Sequence, residues 1–132
     1  MIGLSARTDA KGATALVGAL AQLDRKGEIH QTPAGVLHFK SDCALLDDDT
    51  ILATRRLAAS GVFAGWRVIS VPDGEEAAAN ALRINGSLLL GADYPATAEL
   101  LAKHGFTVTP LATSEIAKID AGLSCMSLRW HN

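Results

Sequence analysis

Aromatic side chains, cysteines and excess charge are all scarce in this chain, and each scarcity removes a class of function. Aromatics make up 5% of the 132 residues, and 12 Lys and Arg stand against 14 Asp and Glu. Nucleic-acid binding needs counter-charge for phosphates and stacking faces for bases. A nearly neutral chain without a basic stripe or interleaved aromatics offers neither, so no nucleic-acid partner is expected. No apolar run is long enough to span a bilayer and no basic-plus-apolar leader opens the sequence, which argues against a membrane partner. The two cysteines, Cys43 and Cys125, lie far apart and match no metal-ligand spacing. Neither a metal nor a cofactor is expected. Reduced thiols in a cytoplasmic protein are the simpler reading, with a structural disulfide left open.

Apolar residues, by contrast, are plentiful. The chain is 48% hydrophobic with a mean hydropathy of +0.20. Its length suits a single domain, 1–132, able to bury roughly two thirds of its unfolded surface. Two long segments repeat one pattern. "ALLDDDTILATRRLAASGVFAGWRVISV" begins at Ala44 and "ALRINGSLLLGADYPATAELLAKHGFTVTPL" at Ala81. Each runs strand, tight turn, apolar strand, helix, glycine, strand. "DDDT" and "ING" are hairpin signals. Gly65 and Gly105 can take the left-handed conformation that closes a helix, and Pro95 suits a first helical turn. The fold class predicted is α/β, with about two complete ββαβ units.

Fragments flank these units. "SARTDAKGATALVGALAQLD" places Ala13, Leu16, Val17, Leu20 and Leu23 on one helical face, with Thr8 or Asp9 as N-cap. "GEIHQT" reads as a strand, and only "MIGLS" stands where a hairpin should precede the helix. At the far end "TSEIAKIDAG" reads as the start of another unit. Sheet units that cannot cover their own faces stack on neighbours. Open flanks therefore predict a homo-oligomer or a separate companion chain.

The stretch "DAGLSCMSLRW" raises the question of function. Residues 120–122 read as a turn and 123–130 as a strand, which sets Cys125 at the mouth of a sheet. A small buried core residue is the plain alternative. "GVLHFKSDC" puts His38 after a turn at 33–35, at the start of the strand that opens the next unit. His38 and Cys125 thus occupy equivalent places in successive repeats. A histidine beside a cysteine stabilises thiolate, delivers a proton to a leaving group and then activates water. His30 and His104 have structural explanations in a strand and a helix's last turn, and His131 lies in the tail.

Four segments, "IGLSARTDAKGA", "GVLHFKSDC", "AAANALRINGSLLL" and "SEIAKIDAGLSCMSLRW", together resemble the C-terminal half of the dimethylargininase family of the guanidine-modifying, or pentein, superfamily. The resemblance covers essentially the whole chain, and it implies part of an α/β propeller built of ββαβ units. It also implies roles. Cys125 matches the nucleophile and His38 the general acid and base. Arg7 matches an arginine that binds the substrate's α-carboxylate, a solvated helix-start residue being the plain alternative. Ile119 matches a position whose carbonyl accepts a hydrogen bond from the substrate guanidinium. The substrate implied is a small guanidino compound of the dimethylarginine type, converted to citrulline and an amine through a covalent thiouronium on Cys125.

In that family, carboxylates from the N-terminal half hold the guanidinium and orient the histidine. Asp42 and Asp120, the nearest acids here, match neither position, so the expected chain is incomplete alone and needs an N-terminal partner. Arginine deiminase and amidinotransferase relatives share the Cys–His chemistry. A catalytically silent half-domain that self-associates is the reading from another class.

Overall fold

The computed structural model describes residues 1–128, and the chain divides into two compact units, Met1–Phe39 and Lys40–Asn132. The first unit is a βαβ crossover. Strands β1 (Ile2–Leu4) and β2 (Ile29–Gln31) pair in parallel, with Gly3 opposite His30 and helix α1 (Ala10–Ala21) between them. Parallel strands cannot be joined by a tight turn, which is why the helix is there. Of the two predicted caps Asp9 is the one used, its carboxylate accepting from the Gly12 amide at 2.7 Å. The predicted apolar stripe is only partly covered: Ala13 is buried, Val17 and Leu20 half-buried, Leu16 and Leu23 exposed. Gly3 is required by close approach, because a Cβ there would lie 2.7 Å from Thr32 Cγ2.

The second unit holds both predicted repeats. Strands β3 (Cys43–Leu45) and β4 (Thr50–Ala53) form an antiparallel hairpin, and β5 (Arg67–Ser70) joins β4 in parallel. In the same way β6 (Leu82–Ile84) and β7 (Ser87–Gly91) make a hairpin that β8 (Thr107–Leu111) extends in parallel. Each unit is therefore ββαβ, and the α/β class is as expected. The turn chemistry is visible in the bonds: Asp47 Oδ1 accepts from the amides of Asp49 and Thr50 at 3.0 and 2.7 Å, and Asn85 takes a φ of 52° beside Gly86. Leu46, Leu52, Val71, Leu88, Leu90 and Leu101 centre the buried cluster between these elements. Among the described residues no helix is long and apolar enough to cross a membrane.

The two crossover helices differ. Helix α4 (Pro95–Lys103) is as predicted, with Pro95 in its first turn and Gly105 at φ 87° beyond its end. Its N-terminus is capped from a distance. Glu75 accepts from the Ala96 amide (3.0 Å), the Thr97 amide (2.7 Å) and the Thr97 hydroxyl (2.6 Å). Burial alone would raise the Glu75 carboxyl, but these bonds outweigh it and hold its pKa below the ordinary value. The helix predicted in the first repeat is reduced to α3 (Arg55–Ala58), one turn long. Gly61 and Gly65, both at positive φ, divert the chain through turns instead.

Two further expectations are corrected. His38 does not lead directly into a strand, because a single helical turn, α2 (Phe39–Asp42), precedes β3. Over 123–128 the chain is not a strand. Residues 123–126 form a turn in which the Gly122 carbonyl accepts from the amides of Cys125 (3.1 Å) and Met126 (3.2 Å). The remainder of that predicted strand, with His131, lies outside the described residues.

Candidate active site

The turn that carries Cys125 is set up by the helix before it. Helix α5 (Ser114–Ala117) ends with the Ala121 amide on the Ile116 carbonyl (3.2 Å) and the Asp120 amide on the Ala117 carbonyl (3.1 Å). That pair of bonds is a Schellman closure, which needs a left-handed residue, and Asp120 supplies it at φ 56°. Aspartate adopts that region more readily than most side chains. Ile119 thus sits at the helix's C-terminal boundary, where carbonyls leave the intrahelical ladder. Ile119 itself is 69% exposed.

Cys125 is exposed, which overturns the buried-core alternative. Two residues hold its turn. Asn80, from the boundary between a 3-10 turn (Glu76–Ala79) and β6, accepts from the Ser124 amide through Oδ1 at 2.9 Å and donates through Nδ2 to Cys125 Sγ at 3.5 Å. Lys40, on α2, donates to the Ser124 carbonyl at 3.3 Å, while the Ser124 hydroxyl donates to the Lys40 carbonyl at 3.2 Å. No sequence spacing connects these partners. They were missed because their only signal is the presence of Lys40 and Asn80 within segments already singled out for other residues.

A cavity of about 200 Å³ opens beside the turn, lined by Ser41, Asn80, Tyr94, Thr113, Asp120 and Gly122 among others. Cys125 is not in its wall, but the Asn80 amide that reaches the sulfur is. Gly122 is glycine for a reason of space, since a Cβ would overlap the Asn80 carboxamide. Gly91 on the same side leaves room for Tyr94 and Thr113, whose atoms would meet a Cβ at 2.6 and 2.7 Å. Among the described residues no group of three or more His, Cys, Asp or Glu could hold a metal ion.

In the first unit, the backbone of Arg7 and that of Leu37, the residue before His38, meet at one hydroxyl. Ser5 Oγ accepts from the Arg7 amide at 3.0 Å and donates to the Leu37 carbonyl at 2.8 Å. Both Arg7 and His38 are exposed. His30 is in β2 and pairs with Glu28 at 3.3 Å, and His104, just past α4, meets the Arg67 guanidinium at 3.0 Å. Those two histidines have the structural roles expected of them.

The two thiols are chemically opposed. Burial, reinforced by the Asp42 carboxylate, pushes Cys43 up to about 12. Burial would also raise Cys125, but hydrogen bonds from the Gly122 backbone and from the Asn80 and Ser124 side chains, with the Lys40 charge, bring it below the ordinary thiol value. Cys125 therefore carries far more thiolate than Cys43 near neutrality, an advantage only partly offset by the lower intrinsic nucleophilicity of the more acidic thiol. Iodoacetamide at pH 7.5 is expected to label Cys125 at least about tenfold faster than Cys43, read by peptide mass spectrometry. Equal rates would show that the hydrogen bonds do not govern the thiol.

Comparison with known proteins gives this arrangement a context. The chain is 37% identical over 129 residues to an N(G),N(G)-dimethylarginine dimethylaminohydrolase of Pseudomonas aeruginosa, over 98% of this chain and 50% of that protein. It superimposes with a TM-score of 0.89 on a solved cysteine-to-serine mutant of the Pseudomonas aeruginosa enzyme complexed with citrulline, at 36% identity, over 97% of this chain and 50% of the other. An inosamine-phosphate amidinotransferase of Streptomyces griseus shares the fold at 20% identity, with a TM-score of 0.77 over 93% of this chain and 40% of the other. No family model matches the chain. The chain spans about half the length of the relatives it matches.

Proposed function

Because the chain belongs to the dimethylarginine dimethylaminohydrolase family of the pentein superfamily, over about half the length of its relatives, we propose that it supplies the thiol-bearing part of a cysteine-dependent amidine hydrolase. Its two ββαβ units are, on this reading, successive blades of a pentein-type propeller. The observation that carries the reading is the exposed Cys125, held in a turn by Asn80 and Lys40 and shifted towards thiolate.

The chemistry follows from the substrate class. A guanidinium carbon is resonance-stabilised and resists direct attack by water. The Cys125 thiolate adds to it, forming a C–S bond, and His38 as imidazolium protonates the departing methylated amine as the C–N bond breaks. A thiouronium remains on sulfur. His38, now neutral, takes a proton from water as the oxygen adds to the same carbon. Collapse breaks the C–S bond while the hydroxyl proton passes to solvent, releasing citrulline and the thiolate. Covalent catalysis of this kind replaces one difficult step with two easier ones. Arg7 presents a planar fork to the substrate α-carboxylate, a match that two parallel hydrogen bonds make specific. The Ile119 carbonyl accepts from the guanidinium N–H groups. The partner implied is a small guanidino molecule. Completion of the site, by a second chain or by another copy, belongs to the proposal as well.

The test is a chimera in which this chain replaces the matching half of the Pseudomonas aeruginosa enzyme. Citrulline and dimethylamine formed in equal amounts from dimethylarginine support the reading. A folded chimera that binds citrulline yet forms no product would overturn it in favour of a silent domain.

A further inference from the structure

The carboxamide of Asn80 touches the nucleophile turn at two successive residues, and its orientation is decided by chemistry. The Ser124 amide can only donate, so the atom 2.9 Å from it must be the carbonyl Oδ1. That leaves the NH₂ group facing Cys125 Sγ at 3.5 Å. An N–H aimed at sulfur is a poor partner for a neutral thiol and a good one for a thiolate. Gly122 leaves the space this carboxamide occupies, and the 3-10 turn before Asn80 packs Ala78 and Ala79 into the core, anchoring the donor on a rigid element.

We propose that Asn80 is a positioning residue for the reaction, fixing the Cys125 sulfur in its turn and donating to it a hydrogen bond that strengthens when the thiol ionises. This inference rests on Cys125 being the nucleophile. It adds a group that acts through the cysteine and that does not itself touch the reacting carbon. Among the described residues the charged group that acts on the sulfur is Lys40, whose ammonium lies on the Ser124 carbonyl, while Asp120 lines the neighbouring cavity. Lys40 supports the thiolate by charge, and Asn80 supports it by a directed N–H.

Asn80→Asp separates positioning from mere packing. It keeps the size of the side chain and the acceptor for the Ser124 amide, but it turns a carboxylate oxygen towards the sulfur in place of the N–H. The pH dependence of Cys125 alkylation by iodoacetamide, followed on the Cys125 peptide in the whole chain, is the readout. Asn80→Asp is expected to raise the midpoint by about one pH unit or more, a roughly tenfold loss of rate at pH 7. Asn80→Ala should raise it less. Gly122→Ala leaves Asn80 itself unaltered and only pushes its carboxamide aside, so it too should raise the midpoint, and it decides the matter if either Asn80 variant unfolds. Midpoints within about 0.3 units of wild type in the folded variants overturn the proposal. The titration involves no turnover, so an unmoved midpoint is distinct from an inactive chimera, which bears on the hydrolase reading alone.

Discussion

Replacing Cys125 by serine in the citrulline-forming chimera is expected to lower turnover by at least about a thousandfold, while citrulline binding changes little. The magnitude follows from what the sulfur contributes. Its pKa lies below the ordinary thiol value, so more of it is thiolate than in an ordinary cysteine, whereas a serine hydroxyl at the same point has no comparable anion. Deleting a covalent nucleophile elsewhere costs about a millionfold in turnover, and binding and positioning leave a residual rate a few thousandfold above water. A split between turnover and binding is therefore the signature. His38→Ala should cost about 10²- to 10⁴-fold, as loss of a general acid–base group does. Turnover above one per cent of wild type in Cys125→Ser would place the nucleophile elsewhere. Cys43 is a poor replacement, with its thiol pushed up to about 12.

What the sequence revealed depends on how local the causes are. Both hairpins were legible because Asp47 and Asn85–Gly86 make their turns with their own side chain or backbone. Asp9 and Pro95 declared the starts of α1 and α4 for the same reason. The failures have distant causes. "LSCMSL" alternates in the manner of a strand, yet Asn80 removes the Ser124 amide from any sheet and the Gly122 carbonyl takes those of Cys125 and Met126. Helix α2 is one turn long, too short to leave a periodic signal, and its last residue is held by partners on and beside α3. The site residues came from a family resemblance, but the groups that hold them in place did not. Asn80 lies 44 residues from Ser124 and Lys40 lies 84 from it, separations at which a single sequence carries no pairing information.

Asp42, the acid that sequence reading left without a role, is expected to be the most destabilising of the charged residues to remove. It is only 4% exposed. Its Oδ1 accepts from the Thr54 hydroxyl at 3.0 Å and from Arg56 Nε and Nη2 at 2.9 and 2.7 Å, while its carbonyl accepts from the Thr54 amide at 2.9 Å. One carboxylate thus joins α2 to the start of α3. Asp42→Ala leaves the buried Thr54 hydroxyl and one face of a guanidinium without an acceptor. Breaking a buried ion pair in this way costs about 3–5 kcal/mol. Because Arg56 is half exposed and can turn to water, the low end of about 3 kcal/mol is expected, which at a typical urea slope moves the unfolding midpoint down by roughly 1–2 M. Arg56→Met should cost a comparable amount, since it strands the buried carboxylate. The double variant Asp42→Ala, Arg56→Met should cost clearly less than the sum of the two, because it leaves no buried charge unpaired. Strict additivity would mean that the pair contributes nothing beyond its separate side chains. Lys40 shares the α2 turn with Asp42, so the same loss of stability should release its hold on the Ser124 carbonyl. Slower alkylation of Cys125 in Asp42→Ala, under conditions where the protein is still folded, would show that this buried pair supports the turn bearing the thiol as well as the fold.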